Sequence, residues 1–390
     1  MARPLAVLAA AALAVASLGG PAGAGTKPTG EPVKIGLVTS VGVSGIDLPT
    51  LEEGAQAAAE YLTKESDGIA GRPVEVVVCN SKSDPALDAQ CAQEFIDEGV
   101  IAVTGLSPTW GDNGLPIIAA AGIPFVGLPI SNAEFIGDGS YPITGGSASA
   151  FPALAKYFID KGIKKASIIY ADLAAGKLAA DALLGDPLRE AGVEVTEIPE
   201  KVGAADFTPA VVQANEGDPD VIFLLFSGPD CVRILQAASQ VGVQASMAGA
   251  GSCAEEDTFD EVDDSIIEGA IFNSDTAYYV AKDPDAKLYR KALKKYSKAK
   301  PSGFSGATFS SVMTLKTIGD ELGDQLSAQA VMDRLANADG IPVFMATELN
   351  KANAPTLLGI ETHIYNPDQR IVRLKGGKVV DANNNEWIRG

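Results

Sequence analysis

The sequence has a single histidine, His363, and lacks the motifs that mark the commonest catalytic sites. It contains no HExxH pair for zinc, no GxxxxGK[ST] phosphate loop and no GxSxG turn for an activated serine. Gly249-Ala250-Gly251 supplies only the first half of a dinucleotide-binding GxGxxG pattern. We therefore expect a protein that is not an enzyme and that carries neither a cofactor nor a metal.

Basic residues are also scarce relative to acidic ones. The chain has 30 Lys and Arg against 50 Asp and Glu, which gives a net charge of −20 at pH 7. So acidic a chain repels nucleic acid and anionic membranes, and neither is expected as a partner.

Long apolar runs are absent beyond the N-terminus. The run Leu5–Leu18 follows Arg3 and precedes Ala22-Gly23-Ala24, which has the small-residue form of a signal-peptidase site. The alternative is a membrane anchor, but this run is shorter than the roughly 20 residues that a spanning helix needs. We predict that residues 1–24 are a signal peptide cleaved near Ala24, with export to the periplasm or to the extracellular or cell-wall space.

The chain has only four cysteines and no CxxC motif. In an oxidising compartment they are expected to form disulfides, and four cysteines allow three connectivities. The local pairing Cys79–Cys91 and Cys231–Cys253 fits the order of elements best, because each pair joins neighbouring segments. A metal site is disfavoured because the one histidine is far away in the sequence.

Strand patterns alternate with helix patterns twice along the chain, which predicts an α/β fold with parallel sheets. The tail Leu358–Val380 alternates like a β-hairpin, with turn residues at 366–368 and 376–377. Three late helices are expected to pack back on the first unit, which has few helices of its own. The predicted strands are Val33–Thr39, Val74–Val78, Val100–Val103, Ile123–Val126, Ala166–Tyr170, Val193–Ile198, Asp220–Leu225, Ala245–Ala248 and Ile271–Asn273. The principal predicted helices are Thr50–Leu62, Pro85–Glu98, Trp110–Ala121, Phe151–Lys161, Ala174–Ala191, Asp206–Asn215, Pro229–Val241, Pro284–Lys298, Phe304–Leu322 and Ala328–Ala336.

Two polar loops, Gly105–Thr109 and Gly127–Asn132, follow strands of the first unit. Parallel strands would place both loops at one sheet edge, where open α/β sheets bind ligands. The hydroxyls of Ser107, Thr109 and Ser131 would contact a ligand there or merely cap helices.

Other residues near this edge are open to two interpretations. Trp110 would stack on a ligand or pack on the first unit, and Phe226 at the opposing strand end has the same alternatives. Ser44 lies in the loop after the first strand, which should also face the cleft. Tyr278 or Tyr279 would line the cleft or pack at a crossover.

Several short motifs occur in an order that resembles a known family. They include Lys34-Ile35-Gly36, Gly71-Arg72-Pro73, Ser83-Asp84-Pro85, Gly122-Ile123-Pro124, Asp218-Pro219-Asp220 and Ile267-Glu268-Gly269. Together they resemble the type I periplasmic binding proteins, specifically the branched-chain (Leu/Ile/Val) amino-acid-binding family of ABC transporter substrate-binding proteins. The likeness runs from about Pro32 to Lys378.

The resemblance implies two Rossmann-like lobes whose parallel sheets are flanked by helices. Three hinge crossovers are expected near Thr144–Ser147, Asn273–Thr276 and Gly340–Val343. One lobe would hold residues 32–145 and 275–341, and the other residues 146–274 and 342–390. A monomeric receptor of this kind closes on a small molecule and delivers it to a membrane permease.

The resemblance also implies a ligand site, which this sequence keeps only in part. Leu106–Trp110 and Pro129–Ser131 match the loops that grip a ligand carboxylate. The second lobe departs from the family's pattern, because Ala250 stands where amino-acid binders have a carboxylate that pairs with the ligand's ammonium. A buried ammonium without a partner is costly. The predicted ligand-contacting residues are Ser44, Ser107, Thr109, Trp110, Pro129, Ser131, Phe226, Ser227, Ala250, Ser252, Asp275 and Tyr278.

The expected function is an exported receptor for a molecule with a carboxylate or other polar group and an apolar body, rather than an ordinary α-amino acid. One alternative is a branched-chain amino-acid binder in which Asp172, Asp230 or Asp275 holds the ammonium. A second is a sensor on the same fold that feeds a signalling receptor. A secreted hydrolase would need a nucleophile–base pair, and the sequence shows none.

Overall fold

The computed structural model describes residues 27–43, 47–226, 228–253, 268–274, 279–357 and 359–389. The predicted signal peptide lies outside these ranges. Four predicted ligand contacts also lie outside the described residues, namely Ser44, Ser227, Asp275 and Tyr278.

The first sheet has three parallel strands in the order β2-β1-β3. The strands are β1 (Val33–Thr39), β2 (Val74–Asn80) and β3 (Val103–Gly105). The third begins three residues later than predicted. The predicted fourth strand, Ile123–Val126, is wrong as a full strand, because only Phe125 forms bridges, to Val103 and to Ser140.

Helices connect and flank these strands. They are α1 (Pro49–Glu65), α2 (Pro85–Glu98), α3 (Trp110–Asn113), α4 (Leu115–Ala120) and α5 (Asn132–Ile136). The single helix predicted over 110–121 is instead two short helices that meet at Gly114. Pro116 has no N–H to continue an unbroken helix.

The second sheet has seven strands in the order β14-β13-β8-β7-β6-β4-β5. Strands β4 to β8 are parallel, whereas β13 runs antiparallel to β8 and pairs with β14 in a hairpin. The strands are β4 (Lys165–Ala171), β5 (Glu194–Glu200), β6 (Val221–Leu225), β7 (Ser246–Gly249), β8 (Ile271–Ser274), β13 (Arg370–Lys375) and β14 (Lys378–Asp381).

The C-terminal hairpin is shorter than predicted. It turns at Gly376 and Gly377, which both have positive φ, but the Asn366-Pro367-Asp368 turn does not belong to it. Four two-residue strands form separate antiparallel pairs before it. These are β9 (Ile341–Pro342), β10 (Glu348–Leu349), β11 (Thr356–Leu357) and β12 (Ile360–Glu361).

The helices of the second unit cover the faces of its sheet. The region predicted as one helix over 174–191 is helical throughout but contains a π-helical segment at Ala179–Gly185. The helices are α6 (Gly146–Asp160), α7 (Ala174–Leu178), α8 (Asp186–Glu190), α9 (Thr208–Asn215) and α10 (Pro229–Val241).

Three late helices return to the first sheet, as predicted. They are α11 (Pro284–Tyr296), α12 (Gly303–Leu322) and α13 (Ala328–Ala336). The Thr308 hydroxyl donates to the Leu51 carbonyl at 2.7 Å, and Ser311 donates to the Val126 carbonyl at 3.0 Å. A Cβ at Gly54 would lie 2.0 Å from the Ser305 carbonyl oxygen, so only glycine permits this approach of α1 to α12.

Both disulfides have the predicted pairing. Cys79 near the end of β2 joins Cys91 in α2, and Cys231 in α10 joins Cys253, with a Cα–Cα distance of 5.6 Å in each pair. The second disulfide anchors the short turn Gly251–Cys253 that follows β7.

Asp84 caps the N-terminus of helix α2. Its carboxylate accepts hydrogen bonds from the N–H groups of Ala86 (2.8 Å) and Leu87 (3.2 Å). Asp84→Ala should lower the free energy of unfolding by about 1 kcal/mol, measured by urea denaturation, because those N–H groups lose their acceptor. Asp84→Asn caps equally well and should retain most of this stability; equal losses in both variants would contradict the capping role.

Candidate functional site

A cavity of about 180 Å³ lies where the carboxyl edges of the two sheets face each other. From the first unit, the loops after β3 and after Phe125 contribute Leu106, Leu128, Pro129 and Ile130. From the second unit, the ends of β7 and β8 contribute Ala250, Gly251, Ser252, Asn273 and Ser274. Carboxyl edges of parallel sheets are the usual place for a ligand in such folds.

The rest of the wall comes from helix starts and from the C-terminal hairpin. Helix α6 contributes Gly146, Ser147, Ala150 and Phe151, and helix α12 contributes Gly303 and Phe304. The remaining lining residues are Tyr279, Val372 and Val379. About 10–15 Å³ of such volume suffices for one water, so the cavity has room for on the order of ten heavy atoms.

The structure brings three of the predicted ligand contacts together at this cavity. They are Pro129, Ala250 and Ser252. Leu106 and Ile130, which belong to the loops matched through the resemblance, also line it. Tyr279 lines it as well, and it also packs in the core.

Ser107 and Thr109 are held within the first unit and do not line the cavity. Ser107 is fully buried, and its hydroxyl accepts a hydrogen bond from the Ser81 hydroxyl at 2.9 Å. The Thr109 hydroxyl donates to the carboxylate of Asp88, which is itself buried. The Ser107 hydroxyl thus joins two loops of the first unit, and the Thr109 hydroxyl joins its loop to helix α2.

Ser131 caps a short helix that the sequence did not predict, α5. Its hydroxyl accepts from the Glu134 N–H at 3.3 Å, and the Glu134 carboxylate accepts from the N–H groups of Ile130 (2.8 Å) and Ser131 (2.9 Å). Glu134 is fully buried, and burial raises its pKa to about 7 despite these two hydrogen bonds. The Ser131 hydroxyl therefore acts as a helix cap, and the Ser131 N–H already donates to the Glu134 carboxylate.

The two aromatic candidates are core residues. Trp110 is fully buried, with its ring centroid 6.1 Å from Phe95 and 6.2 Å from Phe125. Phe226 packs edge-on against Phe207 at 5.4 Å. Neither lines the cavity, so the packing alternative describes both.

Two of the acids considered as partners for a ligand ammonium lie elsewhere. Asp172 is exposed and Asp230 is engaged by Arg233 and by the Gly203 N–H at 2.9 Å. Neither lines the cavity, while Asp275 lies outside the described residues.

Phe151, Phe304, Val372 and Val379 were not predicted to contact a ligand. In sequence they look like ordinary apolar positions of helices and of a hairpin. Only the placement of β13 beside β8 brings Val372 to the cavity, and no local signal would have found it. Among the described residues, no group of three His, Cys, Asp or Glu side chains is placed to hold a metal ion.

The comparisons with known proteins agree with this architecture. The model of the periplasmic binding protein family matches residues 32–378, so the chain belongs to this family. No curated protein matches the sequence. In the described ranges, no helix has the length and apolar character needed to cross a membrane.

Solved structures with the same fold cover nearly the whole chain at low identity. A leucine-binding protein from Thermotoga maritima is 18% identical, with a TM-score of 0.71 and coverage of 92% of this chain and 99% of that one. A branched-chain amino acid transporter substrate-binding protein from Streptococcus pneumoniae, in complex with isoleucine, is also 18% identical, with a TM-score of 0.71 and coverage of 92% and 100%. An ABC-transporter solute-binding protein from Rhodopseudomonas palustris, in complex with 3,4-dihydroxy benzoic acid, is 16% identical, with a TM-score of 0.70 and coverage of 92% and 95%.

Proposed function

We propose that this protein is the exported solute-binding receptor of an ABC importer and that it holds a small molecule in the cavity between its two units. The observation that carries the proposal is the cavity itself, which is lined by residues at the carboxyl edges of both sheets. Its wall is mostly apolar, with polar side chains at Ser147, Ser252, Asn273 and Ser274. Such a wall suits an apolar body with a carboxylate or other polar group.

An ordinary α-amino acid fits this wall poorly. No acidic side chain lines the cavity among the described residues, so this part of the wall offers an ammonium no charged partner for its lost hydration. The related structures bind both kinds of ligand, since one holds isoleucine and another holds an aromatic acid without an amino group. The second kind is the better guide to this chain.

The proposal includes closure of the two units about three crossovers. The chain leaves the first unit before α6, returns to it after β8, and enters the second sheet again at β13. One lobe would comprise residues 32–145 and 275–341, and the other residues 146–274 and 342–390. The two lobes would rotate toward each other and close on the ligand. The receptor would be monomeric and non-catalytic, and it would be exported by the predicted signal peptide.

The test is a thermal-shift screen of the purified protein that begins at residue 25, without the predicted signal peptide. The panel holds branched-chain amino acids, aliphatic and aromatic carboxylates, amides, polyols and nucleobases. A ligand at 100 times its dissociation constant should add about 2.7 kcal/mol to the free energy of unfolding, which is an easily measured shift.

A cavity-filling variant supplies the matched control. Ala150 lines the cavity and is 3% exposed, so Ala150→Trp should abolish the shift while the folded far-UV spectrum is retained. A shift that survives in Ala150→Trp would place the ligand elsewhere and would refute the cavity as the binding site. Loss of uptake of the same compound in a deletion strain would separate an importer from a sensor.

A further inference from the structure

One part of the cavity wall is a short turn that a disulfide joins to a helix. The turn follows strand β7, and its first two residues, Gly251 and Ser252, line the cavity. Its third residue, Cys253, is fully buried and belongs to the hydrophobic core. Adjacent residues of this turn therefore connect the surface of the cavity to the core.

The partner of Cys253 lies in a well-packed helix. Cys231 is in the first turn of α10, where its N–H donates to the Gly228 carbonyl at 3.1 Å. Cys231 is fully buried, as are Ile234 and Leu235 one turn further along α10. The disulfide thus ties the cavity wall to an element that is anchored in the core.

Noncovalent contacts hold the start of the turn better than its end. The Gly251 N–H donates to the Asn273 side chain at 2.8 Å, and a Cβ on Gly251 would lie 2.6 Å from the Asn273 carbonyl oxygen. The Cys253 N–H makes a local hydrogen bond to the Ala250 carbonyl at 2.9 Å. The Ser252 hydroxyl makes no hydrogen bond with another described residue. The disulfide is therefore the contact that fixes the turn beyond Gly251.

We propose that the Cys231–Cys253 disulfide positions the ligand site by holding Ser252 at the cavity wall, and that it raises the affinity for ligand in this way. A wall that is in place in only a fraction of the molecules weakens the apparent affinity by that same fraction. This inference rests on the proposed binding function and adds a positioning element to it.

The other disulfide is a matched control. Cys79–Cys91 also joins neighbouring segments, with a sequence separation of 12 residues against 22 for Cys231–Cys253. Because stabilisation by a disulfide grows only slowly with loop length, loss of either pair should destabilise the fold to a similar extent. Neither Cys79 nor Cys91 lines the cavity, and neither do the residues adjacent to them.

The experiment removes each disulfide separately from the protein that begins at residue 25. The probe is the tightest binder of the wild type among isoleucine, isocaproate, 3,4-dihydroxybenzoate and the compounds of the thermal-shift panel. By calorimetry we expect Cys231→Ala/Cys253→Ala to bind it at least about tenfold more weakly, a difference of about 1.4 kcal/mol. Cys79→Ala/Cys91→Ala should bind within about twofold of the wild type. Equal losses in the two variants, or no loss in the first, would overturn the inference.

A double-mutant cycle provides a readout that lowered stability alone would not change. Ser252→Ala should weaken probe binding in the wild type but add little in Cys231→Ala/Cys253→Ala, whereas Ser147→Ala in the opposite wall should have the same effect in both. If Ser252→Ala left the affinity of the wild type unchanged, or if its effect were fully additive, the disulfide would not act through Ser252 and the inference would fail.

The wild type alone decides the matter if the first variant does not fold. It is equilibrated with reduced and oxidised dithiothreitol, with and without saturating probe, and each cysteine is quantified after acid quenching and alkylation. Reduction moves two electrons and two protons from the dithiol to the disulfide, which leaves two thiols and cyclic oxidised dithiothreitol. Because linkage is reciprocal, the probe should raise the oxidised-to-reduced ratio of Cys231–Cys253 at least about tenfold and that of Cys79–Cys91 about twofold or less. Equal shifts would contradict the inference.

Failure of this inference is distinct from failure of the proposed function. A probe that binds equally well with and without the Cys231–Cys253 disulfide would refute the positioning role and leave the receptor function intact. If the wild type bound none of these compounds, the proposed function would be refuted and the positioning role with it.

Discussion

Replacing Trp110 with alanine is expected to lower the free energy of unfolding by about 3–5 kcal/mol, because a fully buried indole leaves a large cavity. The ring lies between Phe95 and Phe125 and closes the core under helix α3. Urea denaturation followed by circular dichroism measures the change. Affinity for any ligand found by the screen should fall little at temperatures where the variant stays folded.

Trp110→Phe is the matched control. The indole Nε1 is buried and has no hydrogen-bond partner among the described residues, so phenylalanine removes that unsatisfied donor while keeping an aromatic ring. We expect its loss of stability to be well under half that of alanine. If Trp110→Ala were stable but unable to bind ligand, the stacking interpretation would be correct.

Stability is expected to fall as the pH rises from 5 to 8, through the titration of Glu134. Burial raises the pKa of Glu134 from 4.5 to about 7 in the folded state. Between these two pKa values the folded chain holds a proton that the unfolded chain has released, which makes the free energy of unfolding decrease with pH until the folded chain is also deprotonated. The contribution of this one group is about 2–3 kcal/mol between pH 5 and pH 8.

Glu134→Gln isolates this contribution. A glutamine oxygen still accepts from the Ile130 and Ser131 N–H groups, but the side chain does not titrate. The difference in unfolding free energy between the wild type and the variant should shift by about 2–3 kcal/mol from pH 5 to pH 8, with the wild type losing stability. Parallel pH profiles for the two proteins would show that Glu134 titrates normally.

Exposed carboxylates act in the opposite direction and at lower pH. Hydrogen bonds from the Lys164 and Lys165 N–H groups lower the pKa of Asp220, and the Lys316 ammonium lowers that of Asp67. Their stabilisation is present above the unfolded pKa and is lost below about pH 4. The pH 5–8 range therefore lies above the titration of these two groups.

The order of the elements was predictable because strand and helix periods are local. Most strand and helix bounds agree within a few residues, and both disulfides have the predicted pairing. The errors occur where short elements depend on distant contacts. Gly114 and Pro116 divide one predicted helix, and the segment 123–126 has only Phe125 in register with its neighbours.

The site was predictable only in part, since a polar residue near a sheet edge has several ways to satisfy its hydrogen bonds. Ser107, Thr109 and Ser131 all lie near that edge as expected, yet the hydroxyl of each is hydrogen-bonded to another residue of the first unit. Pro129, Ala250 and Ser252 line the cavity because their loops end strands that face it. Sequence patterns locate the loops but do not say which side chains turn inward.

By itself, the sequence determined an acidic chain with two α/β units, its local disulfides, and the loops between which a ligand would bind. The tertiary structure decided the chemistry of the cavity, by bringing Phe304 and Val372 to its wall and by turning the Ile130 N–H toward Glu134. Secondary structure depends on residues two to four positions apart, whereas this wall joins segments from residue 106 to residue 379. Only the packed sheets and helices fix which of those segments meet.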